Sequence, residues 1–78
     1  MQRKSVDSSV IAEVGYDESS AILEVVFHTG RTYHYFRVPP AEHQNLLNAR
    51  SIGGYFNRKI RTRYRGVEIG VEIGVEIE

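Results

Sequence analysis

Between Arg50 and Arg65 the chain carries six positive side chains (Arg50, Arg58, Lys59, Arg61, Arg63, Arg65) and no acidic one. The whole molecule is formally neutral, so this is segregation of charge. Lys and Arg gathered on one stretch are the usual electrostatic signature for phosphate or another polyanion. A second chemical feature is Tyr33-His34-Tyr35. On a strand, residues two apart project the same way, about 6.6 Å from each other. Two such rings can stack on successive unpaired bases. The candidate nucleic-acid-binding set is therefore Arg58, Lys59, Arg61, Arg63 and Arg65 for phosphates, with Tyr33, Tyr35 and Tyr64 for bases. Each member has a plainer reading: the cations as a solvated helix face, and the tyrosines as core.

Other chemistries find little support. The three histidines, His28, His34 and His43, form no H-x-x-x-H or similar local pair for a metal. Ser51, Asn57 and His43 match no hydrolytic motif; a helix-capping role suits Ser51, and Asn57 suits backbone hydrogen bonding near Gly53-Gly54. Those glycines lack the G-K-[ST] ending of a phosphate-cradling loop. Cysteine is absent, which removes disulfides, thiolate metal sites and thiol catalysis. The expectation is a binding protein, not an enzyme, without cofactor or metal.

The elements that must position these residues follow from periodicity. Val10–Val14 is a short β-prone run ending in the turn formers Gly15–Ser20. In Ala21–Phe27, Ala21, Leu23, Val25 and Phe27 share one face. His28-Thr29-Gly30 reads as a tight loop, and Arg31–Val38 returns until Pro39-Pro40 stops it. Thr is poorly suited to the positive φ that a two-residue type I′ turn demands. A three-residue loop with Gly30 in a bulge is therefore favoured, and it pairs Val25 with Tyr33 and Leu23 with Tyr35. After Pro40, which can open a helix, His43, Leu46 and Leu47 fall at helical spacing. Ser51 is a plausible N-cap for a second helix. Tyr55, Phe56 and Ile60 would form its apolar stripe, with Arg58, Lys59 and Arg61 toward solvent.

The tail repeats Gly-Val-Glu-Ile three times from Gly66 to Ile77 and ends at Glu78. Glycine in every turn makes it a poor helix, but it alternates strictly as a strand. Twelve strand residues span about 40 Å, long enough to overhang a small sheet and pair with a second copy. The alternative is a flexible acidic extension. Charge divides at the same place: ten basic and six acidic residues up to Arg65, then four acidic and none basic.

In order along the chain, Gly15-Tyr16-Asp17, Val25-x-Phe27-x-x-Gly30, Tyr33-His34-Tyr35, Val38-Pro39, Ser51-x-Gly53-x-Tyr55-Phe56-Asn57-x-x-Ile60 and Arg61-x-x-Tyr64 resemble the KTSC domain. The likeness runs from about Ser8 to Tyr64, and the Y-x-Y triplet is its central mark. That module is named from the C-terminus of some lysyl-tRNA synthetases and also stands alone as a small protein in bacteria and phages. The resemblance implies an α+β fold, and RNA binding has been suggested for the family. It does not extend to the tail.

A chain of 78 residues is one domain at most, burying only about 60% of its unfolded surface. No apolar run reaches the roughly 20 residues of a membrane span, and the start has no apolar stretch typical of a secretory signal. A cytoplasmic location is expected. The expected fold is α+β: a three-stranded antiparallel meander followed by two short helices packed on one face, with room for a further C-terminal strand. Residues 1–65 form the domain, and residues 1–8 are polar and frayed. Residues 66–78 form the tail. The expected core is Val10, Ala12, Val14, Leu23, Val25, Phe27, Leu46, Leu47, Tyr55, Phe56 and Ile60. The expected partners are RNA or tRNA. The competing reading is self-assembly, a homo-oligomer built by strand addition through residues 66–78.

Overall fold

The structure is a computed structural model and describes residues 1–71. The G-V-E-I repeat beyond Val71, and the long overhanging strand expected of it, lie outside the described residues. The fold is α+β. Its sheet is a five-stranded antiparallel meander: β1 (Arg3–Ser5), β2 (Ile11–Asp17), β3 (Ile22–Phe27), β4 (Arg31–Tyr35) and β5 (Gly66–Val71), in that spatial order. Two helices lie between β4 and β5: α1 (Pro40–Leu47) and α2 (Ile52–Tyr55). α2 runs on into a π-helical turn, Phe56–Ile60.

The strand count corrects the expected three. The meander β2–β3–β4 is present, but each of its edges carries one more strand. The N-terminal residues, expected to fray, supply β1, which is registered on β2 through Arg3↔Gly15, Lys4↔Val14 and Ser5↔Glu13. Its side chains are all exposed, so apolar patterning gave no signal for it. What holds it is the ladder and an ion pair from Arg3, described below.

The central hairpin has the bulged-loop register. Leu23 faces Tyr35 and Val25 faces Tyr33. Gly30 adopts φ 95°, and its amide donates to the Phe27 carbonyl at 2.9 Å. The core departs from expectation in β2. Ile11 is fully buried, while Val10 is 43% exposed. The cause is a β-bulge: Ile11 pairs with Phe27 but Glu13 pairs with Val26. Ala12 is the extra residue, so the alternation of β2 shifts by one there. Ile11, Val14, Leu23, Val25, Tyr35, Val38, Leu46, Phe56 and Ile60 form the buried cluster. Phe27, Leu47 and Tyr55 are half-buried against it.

Pro40 starts α1 and Leu46 is its buried anchor. The Ser51 hydroxyl accepts from the Gly54 amide at 3.1 Å, capping α2. The π-helical turn closes with the Arg61 amide donating to the Phe56 carbonyl at 2.9 Å. It buries Phe56 and Ile60 and leaves Asn57, Arg58 and Lys59 exposed in succession. π-turns inside helices are frequent at functional sites.

Candidate nucleic-acid interface

Tyr33 and Tyr35 lie on the helix-covered face of the sheet, opposite Val25 and Leu23. Their rings stack, with centroids 6.1 Å apart and planes 21° from parallel. Phe56 from the π-turn meets Tyr35 edge-on at 5.4 Å and Phe27 at 5.4 Å; Phe27 in turn meets Tyr33 edge-on at 5.7 Å. Four rings thus form one connected cluster in the favoured edge-to-face and stacked geometries. The two tyrosines are not equivalent. Tyr35 is 5% exposed and belongs to the core. Burial, followed by the neighbouring Tyr33, pushes its phenol up to about 12, with the nearby Arg61 charge acting the other way. Tyr33 is half-buried, so it keeps an accessible part.

These rings floor an open groove also lined by Val10, Asn57, Arg61 and Gly66. Gly66 is required there, because a Cβ would lie 2.8 Å from Cδ1 and 2.9 Å from Cζ of Tyr35. Asn57 lines this groove and makes no side-chain hydrogen bond among the described residues. It does not bond the Gly53-Gly54 backbone as expected, because the π-turn carries it outward.

Arg58, Lys59, Arg61, Arg63 and Arg65 are all exposed. Among the described residues none of them lies within ion-pairing distance of a carboxylate. Glu68 of the tail pairs with Arg31, at 2.9 Å, and not with the basic segment. The fold does not gather the whole run in one place. Arg61 rims the aromatic groove. Arg63 and Arg65 line a second groove with Phe36, Arg37, Tyr64 and Val67. Arg50 stands apart, beside Asp7–Val10. Tyr64 is half-buried, and its hydroxyl donates to Glu42 at 3.2 Å. Tyr55 donates to the other oxygen of the same carboxylate. Both phenols are held above their ordinary value. For Tyr55 the bond to Glu42 is the larger cause, and for Tyr64 it is burial. Tyr64 is therefore a fixed wall.

Sequence reasoning missed Phe27 and Phe56 as groove residues, and Arg37 altogether. Phe27 was legible from its place beside Tyr33 in the hairpin. Arg37 lies outside the basic run, and only the fold brings it to Arg63 and Arg65. His43, half-buried, stacks on Tyr16 at 4.7 Å, and burial together with Lys4 lowers its pKa. His28 bonds the Ser8 carbonyl. No group of three or more metal-ligating side chains occurs among the described residues.

Comparison with known proteins identifies the family of the chain. The KTSC domain profile matches residues 7–64. A protein of Stutzerimonas stutzeri is 45% identical over 58 residues, covering 74% of this chain and 82% of its own. One from Tsukamurella paurometabola is 41% identical over 64 residues, 82% of this chain and 96% of its own. A lysine–tRNA ligase of Nostoc punctiforme is 36% identical over 59 residues, which are 76% of this chain but 10% of the ligase. The crystal structure of a KTSC domain protein from Yersinia pestis has a TM-score of 0.85 at 39% identity, covering 88% of this chain and 97% of that one. The chain belongs to the KTSC domain family.

Proposed function

We propose that this small module binds RNA, with the π-turn and the segment after it on phosphates and Tyr33 under a base. The observation that carries this is a groove floored by Phe27, Tyr33, Tyr35 and Phe56 and rimmed by Arg61 and Asn57, next to cations with no acidic partner among the described residues. Base stacking on an aromatic side chain is worth about 1–3 kcal/mol and tolerates any base. Unpaired Arg and Lys supply the salt-dependent remainder. The similarity of a stretch of a lysine–tRNA ligase makes tRNA a natural first ligand. The test is binding of labelled tRNA and of a single-stranded oligonucleotide across a salt series. Affinity that falls steeply with salt, and falls again in Arg61→Gln and Tyr33→Ala, supports the reading. Absence of binding even at low salt ends it.

A second reading, strand addition between copies, draws on β5. It is an outer strand of the sheet, and its Val67 and Ile69 are 40% and 49% exposed. Unpaired strand edges are templates for another chain. Under this reading, deleting residues 66–78 lowers the oligomeric state on a sizing column. An unchanged monomer before and after the deletion counts against it.

A further inference from the structure

Three cations that are spread along the sequence meet at one end of the β4–β5 ladder. Arg37, just past β4, and Arg63 and Arg65, just before β5, line one open groove of about 740 Å³, walled by Phe36, Tyr64 and Val67. All three arginines are exposed, and none is ion-paired among the described residues. Arg37 sits at φ 60°, a left-handed conformation that costs a non-glycine residue on the order of 1–2 kcal/mol. Its neighbours hold it there. The Phe36 amide donates to the Arg65 carbonyl at 3.0 Å, and the Val38 amide to the Ala21 carbonyl at 2.9 Å. Arg37 cannot relax without breaking one of these bonds, so the strain is fixed into the fold. Guanidinium forks match phosphate oxygens in pairs, and the flanking rings offer a surface for a base or ribose.

This groove adjoins the aromatic one. Gly66 lines the aromatic groove and Val67 the arginine groove, and successive strand residues face opposite sides of a sheet. The two grooves therefore flank the start of β5, with Arg61 on one side and Arg63 and Arg65 on the other. We propose that Arg37, Arg63 and Arg65 bind phosphates further along the strand that seats a base on Tyr33, so that one RNA strand crosses the end of the sheet from its helix-covered side toward the other. This rests on the RNA-binding reading above and narrows it: the ligand is single-stranded. A stiff A-form duplex displays its phosphates along a rod and cannot fold around an edge one strand thick, whereas a flexible single strand can.

The experiment is fluorescence anisotropy with labelled oligouridylates, a dinucleotide and an octanucleotide, and with a short RNA duplex, over a salt series. Wild type is compared with R37Q, R63Q/R65Q and R61Q, and melting curves verify that each variant folds. The octanucleotide binds more tightly than the duplex. R37Q and R63Q/R65Q weaken the octanucleotide by roughly two- to fivefold per arginine removed, and each lost contact reduces the salt slope by about 0.7. The dinucleotide, which reaches only the aromatic groove, is weakened by R61Q and not by the other variants. If the octanucleotide binds and R61Q weakens it, while R37Q and R63Q/R65Q leave both affinity and slope unchanged, the second groove is refuted and the RNA-binding reading stands. Preference for the duplex also refutes the crossing strand. If no RNA binds the wild type, both fall together.

Discussion

Alternate residues of β4 look out on two different chemistries. On the helix-covered side Tyr33 and Tyr35 join a ring cluster bordered by cations that no described carboxylate neutralises. On the other side His34 faces Glu24 across the ladder, and Glu24 and Arg3 there are paired. Glu24 is 7% exposed. One carboxylate oxygen bonds His34 Nε2 at 2.7 Å, and the other takes the Arg3 guanidinium. Arg3 also lies 3.6 Å from Glu13. In register Arg3 faces Gly15, and Gly15 faces Glu24, so the arginine reaches Glu24 across one intervening strand. The contrast separates two arrangements of charge: paired charge adds to the ladder that fastens an edge strand to the sheet, and the unpaired cations stand open to solvent.

Breaking the aromatic side should have the largest effect. Phe56 is 2% exposed and touches both Phe27 and Tyr35. Phe56→Ala should cost roughly 3–5 kcal/mol, enough to unfold much of a domain this small, as thermal or denaturant melting will show. Gly66→Ala should follow at about 1–3 kcal/mol, because its methyl meets the Tyr35 ring. A Gly66→Ala/Tyr35→Leu double variant that recovers part of the loss would locate the clash.

The paired side breaks with a different signature. Glu24→Gln should cost about 1–3 kcal/mol at neutral pH, the worth of hydrogen bonds to a charged group. Burial pushes the Glu24 carboxyl up. The hydrogen bonds from His34 and Arg3, with the Arg3 charge, outweigh that and hold it below the ordinary glutamate value of 4.5. A group whose folded pKa is depressed stabilises fully above its unfolded value, and that stability is lost as pH falls through the folded one. The gap between wild type and Glu24→Gln should therefore be full above about pH 4.5 and close as the solution is acidified. A gap that stays constant with pH would mean that the carboxylate charge plays no part.

The legible parts of the fold are those where local chemistry leaves one choice. Thr29-Gly30 disfavours a type I′ turn, and that settles which side of the sheet Tyr33 and Tyr35 occupy. Ser51 caps α2, and Pro40 opens α1. The illegible parts depend on contacts distant in sequence. β1 is three polar residues whose anchor, Glu24, is 21 residues away. The bulge at Ala12 exchanges Val10 for Ile11 in the core, and nothing in the β2 sequence marks it. The bulge between Thr32 and Tyr33 pairing brings Glu68 opposite Tyr33 and so within reach of Arg31. The candidate site was half legible. The basic run and the Y-x-Y triplet are visible at once, but the division of the cations between two grooves, and the recruitment of Arg37, follow from the π-turn and from the way residues 61–65 round the end of the sheet.

The smallest effect is the most discriminating. Arg3→Gln and Arg61→Gln remove the same charge from opposite sides of the sheet. The first leaves a nearly buried carboxylate without its guanidinium and should cost about 1–2 kcal/mol, the penalty for stranding a charged acceptor. The second removes an exposed cation with no described carboxylate partner, and substitutions of that kind usually stay within about 0.5 kcal/mol. Relief of repulsion among neighbouring cations can even raise the melting temperature slightly. Equal losses of stability in the two variants would show that Arg61 is structural, and the contrast between the faces would fail. Stability lost only with Arg3, and RNA affinity lost only with Arg61, would show that the fold uses the same residue type for two separable purposes.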